Sequence, residues 1–106
     1  MTWTISHGTP GGRFDGHHSR SYGQVGNWRD ALTQMPLSAR DRSIVEPLTR
    51  GRSGDPFSIP PARAAAIATV LRSVQRQMPR AQREMNETLA AAAERAAAAN
   101  EPWEWS

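Results

Sequence analysis

Cysteine and lysine are both missing from this 106-residue sequence. Without cysteine there is no disulfide, no thiolate metal site and no cysteine nucleophile. Without lysine there is no phosphate loop of the Gly-Lys-Ser/Thr kind, so Gly8-Thr9-Pro10-Gly11-Gly12-Arg13 is not one. Large apolar side chains are scarce as well. Leu, Ile, Val and Phe together make 15 residues, a thin supply for a core. No apolar run approaches the roughly 20 residues that cross a bilayer, and Glu94 and Arg95 interrupt the most alanine-rich stretch. No basic segment followed by an apolar one opens the chain. The chain is too short for a dinucleotide-binding or (β/α)8 fold. These absences lead us to expect a cytoplasmic protein, one small domain over residues 1–106, with no membrane contact.

Arginine, alanine and tryptophan are what the chain has instead. All 13 cations are arginine against 10 acids, a net charge of +3, so the pI near 11.0 reflects guanidinium chemistry rather than a strong field. Low aliphatic content implies disorder only together with high net charge, and +3 is not high. The charge is uneven. Residues 31–80 hold eight arginines against three acids, and residues 81–106 hold two against five.

The pattern predicts a mostly helical α+β domain, a three- to four-helix bundle with a small two-stranded β-ribbon. Trp3-Thr4-Ile5-Ser6 alternates apolar and polar, a short strand signal, and Phe57-Ser58-Ile59 alternates again as its expected partner. Residues 7–20 read as a Gly/His-rich loop. Ser19 or Ser21 can cap a first helix with Val25, Trp28, Leu32 and Met35 on one face, ended by Pro36. Ser38 caps a second, carrying Ile44, Val45 and Leu48, with Pro47 late in it. Pro60-Pro61 opens a third with Ile67, Val70, Leu71, Val74 and Met78 on its apolar face. A fourth spans about residues 80–99, with Asn100 as its C-terminal cap.

Each chemical constellation has a bland counterpart. Arg72, Arg76 and Arg80 fall four apart and would share a helix face, with Arg50 and Arg52 in the preceding loop. Such a surface suits phosphate, unless Glu84, Glu87 and Glu94 neutralise it. His7, His17 and His18 with Asp15 lack the helical spacing that fixes a metal site, and a solvated loop accounts for them. Ser6 and His7 are neighbours on a strand and point to opposite faces, which argues against a nucleophile and its base. No acid pair stands out for proton transfer, and no segment requires a cofactor. The protein is therefore expected not to be an enzyme. Trp3, Trp103 and Trp105 are the candidate partner contact, because tryptophan and arginine dominate interface hot spots and this core looks thin. The expected function is an accessory or regulatory protein that binds another protein or self-associates. The alternative is nucleic-acid binding through Arg50, Arg52, Arg72 and Arg76.

Four pieces carry a resemblance: Trp3-Thr4-Ile5-Ser6-His7-Gly8, Ser21-Tyr22-Gly23, Ser53-Gly54-Asp55-Pro56-Phe57-Ser58-Ile59-Pro60-Pro61 and Pro102-Trp103-Glu104-Trp105. Together they resemble a family of small actinobacterial proteins with no assigned activity, with residues 9–18 reading as an insertion. The resemblance implies a compact bacterial cytoplasmic domain. It supplies no catalytic residues.

Overall fold

A computed structural model of the chain describes residues 2–7, 18–50 and 55–106. Strand β1 (Thr2–His7) and strand β2 (His18–Ser21) lead into helix α1 (Tyr22–Thr33) and helix α2 (Ala39–Thr49). Strand β3 (Phe57–Ile59), helix α3 (Pro61–Val74), a 3-10 turn (Arg80–Gln82), helix α4 (Arg83–Ala98) and strand β4 (Trp103–Trp105) follow. The architecture is α+β, four helices against one antiparallel four-stranded sheet of order β2-β1-β4-β3.

The sheet corrects the expected ribbon. Trp3–Ser6 and Phe57–Ile59 are strands, but they do not pair with each other. The Trp103-Glu104-Trp105 strand lies between them: Ile5 faces Trp105 on one side, and Phe57 faces Trp105 on the other. Its tryptophans alternate with one acid, and period-two alternation is what a half-buried strand requires. The expected loop is also shorter than residues 7–20. His7 closes β1, and His18–Ser21 pairs with β1 in the register Ile5↔His18 to Thr2↔Ser21. The other residues of that stretch lie outside the described ones.

One sheet face is buried and apolar: Trp3, Ile5, Ile59, Trp103 and Trp105 all point inward. Both edges are blocked locally. On β2 the Ser19 carbonyl accepts from Arg20 at 2.9 Å, and the Ser21 N–H donates to Gln24 Oε1 at 3.0 Å. On β3, Pro56 and Pro60 flank a three-residue strand. Short, obstructed edges resist pairing with another chain.

Each helix begins and ends for a local reason. Ser21 and Gln24 form a reciprocal capping box that starts α1, with Ser21 Oγ accepting from the Gln24 N–H at 3.1 Å. Ser38 Oγ accepts from the Asp41 N–H at 3.1 Å and starts α2. Pro47 lies inside α2 and withholds the N–H that the Ser43 carbonyl would accept. Arg63 of α3 supplies the missing donor, Nη2 to Ser43 O at 2.8 Å. Three more arginines serve helix ends in the same way. Arg29 bonds Leu48 O, Arg42 bonds Thr33 O and Met35 O, and Arg83 bonds Met78 O and Arg76 O.

Helices α3 and α4 form a hairpin. Ala64 and Ala68 on one helix, and Ala90, Ala92, Ala93 and Ala96 on the other, are buried and let the two approach closely. Helix α3 stops at Val74, four residues earlier than the apolar periodicity suggested, and Pro79 disfavours helix at Met78, the residue before it. Met78 stays fully buried within the turn. Helix α4 ends on Asn100, which has φ 54°, with Glu101 N–H donating to Ala96 O and Asn100 N–H to Ala97 O, both at 3.0 Å. This double closure turns the chain into β4.

Asn86 is the buried polar side chain of the described core. Its Oδ1 accepts from Trp28 Nε1 at 3.0 Å, and its Nδ2 donates to Leu71 O at 2.9 Å and Gln75 Oε1 at 2.6 Å. Leu71 lies in the last turn of α3, where carbonyls lack intrahelical partners. One amide thus joins α1, α3 and α4. Asn86→Ala is expected to cost about 3 kcal/mol, since it orphans several buried groups at once. That corresponds to a melting temperature lower by roughly 12–24 °C for a domain of this size. A loss under about 1 kcal/mol would show that the network is dispensable. A second measurement checks the proline repair. Urea unfolding of Arg63→Met should show a loss of about 1 kcal/mol that nearly vanishes in a Pro47→Ala background, where the N–H is restored. An equal loss in both backgrounds would place the role of Arg63 elsewhere.

Candidate functional site

The tryptophans proposed as a partner contact are core. Trp3 is 2% exposed, Trp103 0% and Trp105 2%. Trp3 meets Trp105 edge to face at 5.7 Å, Trp103 meets Trp105 at 5.3 Å, and Phe57 stacks on Trp105 at 5.4 Å. Tyr22 closes the cluster against Trp3 at 5.1 Å. The burial that the sequence suggested a partner might provide is made by the chain itself, between the sheet and α4. The cluster is not free of cost. The indole N–H groups of Trp103 and Trp105 are buried without an acceptor among the described residues, a cost of about 1–3 kcal/mol each. Aromatic burial of ~150–250 Å2 per ring outweighs that.

The proposed arginine face is broken up. Since α3 ends at Val74, Arg72 lies on the helix, Arg76 in the turn and Arg80 in the 3-10 segment, so they share no helical stripe. Arg72 bridges two acids of α4. It donates to Glu94 through Nη2 at 2.7 Å and Nε at 3.2 Å, and to Glu87 through Nη1. The hydrogen bonds that Arg72 donates hold the Glu94 carboxyl below the usual carboxylate range, and the accepting carboxylates of Glu94 and Glu87 raise the pKa of the Arg72 guanidinium further. Arg50 pairs with Glu46 one turn earlier at 2.7 and 2.9 Å, which raises its pKa. Arg52 lies outside the described residues. Arg76 and Arg80 remain exposed, with no carboxylate partner among the described residues. Glu84 does not join the Arg72 bridge.

The histidine segment is described only in part. His7 Nδ1 lies 3.1 Å from Glu101 Oε1, a half-buried pair where β1 meets the α4–β4 connection. Ser6 and His7 alternate along β1 and point to opposite faces. Asp15, His17 and the His18 side chain fall outside the described residues. Among the described residues no three His, Asp or Glu side chains come together as metal ligands. No helix there is long and apolar enough to cross a membrane.

A cleft that the sequence did not reveal lies between β2, α1 and α4. It has a volume of about 280 Å3 and opens to solvent. Arg20 enters from β2, Gln24 and Asn27 from α1, Gln82 from the 3-10 turn, and Glu84 and Thr88 from α4. Ala81 and Met85 add apolar surface. Spacing carried part of the signal: Gln24 and Asn27 are three apart, and Glu84 and Thr88 four apart, each pair on one helix face. What spacing does not carry is that α1 packs on α4, which the Trp28–Asn86 bond establishes.

The Arg72 bridge gives a pH prediction. A carboxyl whose pKa is lowered on folding contributes stability above its unfolded pKa and loses it as pH falls through the folded one. Native stability should therefore fall below the ordinary carboxylate range. Glu94→Gln should remove part of that acid dependence and cost about 0.2–1 kcal/mol at neutral pH, the worth of an exposed pair. Denaturant midpoints from pH 7 to pH 3 check this, and an unchanged acid slope in the variant would show that Glu94 contributes nothing to it.

No curated protein and no solved structure shows significant similarity to the chain. One family model does match, over residues 11–106, which takes in β2, all four helices, β3, β4 and the whole cleft. The chain belongs to that family, described as Domain of unknown function (DUF7739).

Proposed function

We propose that the protein is a small cytoplasmic accessory or regulatory protein that binds an acidic segment of another protein and performs no chemical step of its own. The observation that supports this is the pair of guanidinium groups at the end of the α3–α4 hairpin. Arg76 and Arg80 are exposed and lack carboxylate partners among the described residues, whereas Arg72, one turn back, is held by Glu87 and Glu94. Guanidinium forks match carboxylates bidentately, and cations at a contact rim steer acidic partners and set the rate of association. The contact is thus assigned to Arg76 and Arg80 rather than to Trp3, Trp103 and Trp105, which lie inside.

Nucleic-acid binding is the weaker reading. A phosphate track needs several unpaired cations along one surface. Of its four candidate residues, Arg50 and Arg72 are already ion-paired. Self-association through sheet pairing is disfavoured by the blocked edges of β2 and β3.

Fluorescence anisotropy separates the readings. The chain is titrated with a labelled Glu/Asp-rich peptide and with labelled single- and double-stranded oligonucleotides, at low and physiological salt. The peptide should bind, and the double variant Arg76→Glu/Arg80→Glu should weaken it about ten-fold. Tighter oligonucleotide binding that falls linearly with log salt would favour the phosphate surface instead. No binding of either probe at low salt would overturn the charge-steered contact.

A further inference from the structure

Several polar side chains that the fold leaves unused line the cleft between α1 and α4. Several polar groups elsewhere are engaged: Arg29, Arg42, Arg63 and Arg83 bond carbonyls, Gln75 bonds Arg83 O, and Asn86 is fully partnered. In the cleft, Asn27, Gln82, Glu84 and Thr88 make no side-chain hydrogen bond to any described residue. Gln24 uses its Oε1 for the capping box and keeps its amide N–H groups. Arg20 uses one nitrogen on Ser19 O and keeps the rest of its five donors. Arg20 and Glu84 line one cavity from different elements and form no ion pair with each other.

That combination selects a ligand by elimination. A simple anion would leave Glu84 beside a like charge, and a simple cation would do the same at Arg20. A neutral apolar molecule would strand several donors and acceptors when it expelled their water. A metal ion would find one carboxylate and no imidazole. A ligand with one negative and one positive group satisfies both ends, while the amides of Asn27 and Gln82 and the Thr88 hydroxyl can bond whatever lies between. The volume of about 280 Å3 is near the lower bound of small-molecule pockets, ~300 Å3, and suits a small ligand. The geometry points to a binding site for a small zwitterion of the free amino acid class, with its carboxylate on Arg20 and its ammonium group on Glu84. The site is separate from the Arg76/Arg80 contact, and its test does not depend on that contact.

The test is a titration of the full 15N-labelled chain with free L-amino acids into the millimolar range, followed by backbone amide shifts. The panel contains glycine, glutamine, glutamate and arginine, with acetate and methylammonium as single-charge controls. At least one amino acid should produce saturable shifts at Gln24, Asn27, Gln82 and Thr88, and neither control should. Arg20→Gln and Glu84→Gln should each weaken that binding about ten-fold, the usual effect of losing a charged hydrogen bond, while each variant keeps the wild-type melting temperature. Glu84 is exposed, so its variant stands as the readout even where Arg20→Gln perturbs the β2 edge. No saturable shift from any amino acid would overturn the proposal. So would acetate or methylammonium binding as tightly as the zwitterions, or both variants binding like the wild type.

Discussion

The amide of Asn86 is the interaction on which the remaining geometry depends. It accepts from Trp28 on α1 and donates to Leu71 and Gln75 at the end of α3, while itself sitting on α4. Three helices meet at one side chain that cannot rotate without orphaning a buried indole donor and a buried carbonyl. The buried face of α4 is alanine apart from Leu89 and Asn86, so it offers few bulky side chains to fix its registry, because small faces slide past one another at little cost. A directional polar contact does what shape complementarity does in a leucine-rich core. The position at which α3 ends, the turn that follows, and the spacing between α1 and α4 are all tied to it.

The helical part of the fold was legible in the sequence because local signals agreed. Ser21 and Ser38 as caps, Pro61 in a first turn and Asn100 as a terminator all lie where the chemistry of helix ends puts them. The core residues Trp28, Leu32, Ile67, Leu71, Val74 and Leu89 are all buried, as their periodicity required. The sheet was less legible. Three-residue strands specify their own alternation but not their neighbours, so Phe57–Ile59 matched Trp3–Ser6 in pattern while Trp103–Trp105 took the place between them. The tryptophan pair was correctly expected not to remain in water, but local pattern does not distinguish burial in the chain's own core from burial against a partner. The cleft was legible only in the spacing within each of its walls, since the packing of β2 and α1 against the 3-10 turn and α4 is purely tertiary.

The lack of lysine is informative once the contacts are known. Four arginines reach backbone carbonyls at helix ends or beside Pro47, and two of them, Arg42 and Arg83, do so with two nitrogens each. A planar fork with five donors can serve two carbonyls of one turn at once, which a single ammonium does less well. Much of the basic character of the chain is therefore structural. The count of 13 arginines overstates the cationic surface open to a partner, and the acids of α4 reduce that surface further by holding Arg72.

The cleft and the core are linked through adjacent residues. Asn27 lines the cleft and Trp28 lies beneath it; Met85 lines the cleft and Asn86 lies beneath it. A ligand that bonds both walls would hold α1 against α4 at the same place as the buried amide does. Binding there and folding are then coupled: whatever binds only the assembled cleft stabilises the assembled helices, by an amount set by its concentration relative to its dissociation constant. The Arg76/Arg80 turn is anchored on the same α4 end through Arg83 and Gln75, and Gln75 is itself bonded to Asn86. Any free-energy coupling between the cleft and the hairpin end would act in both directions equally. One amide, one turn and one pair of helix walls thus place the two proposed contact regions on a single hydrogen-bonded unit.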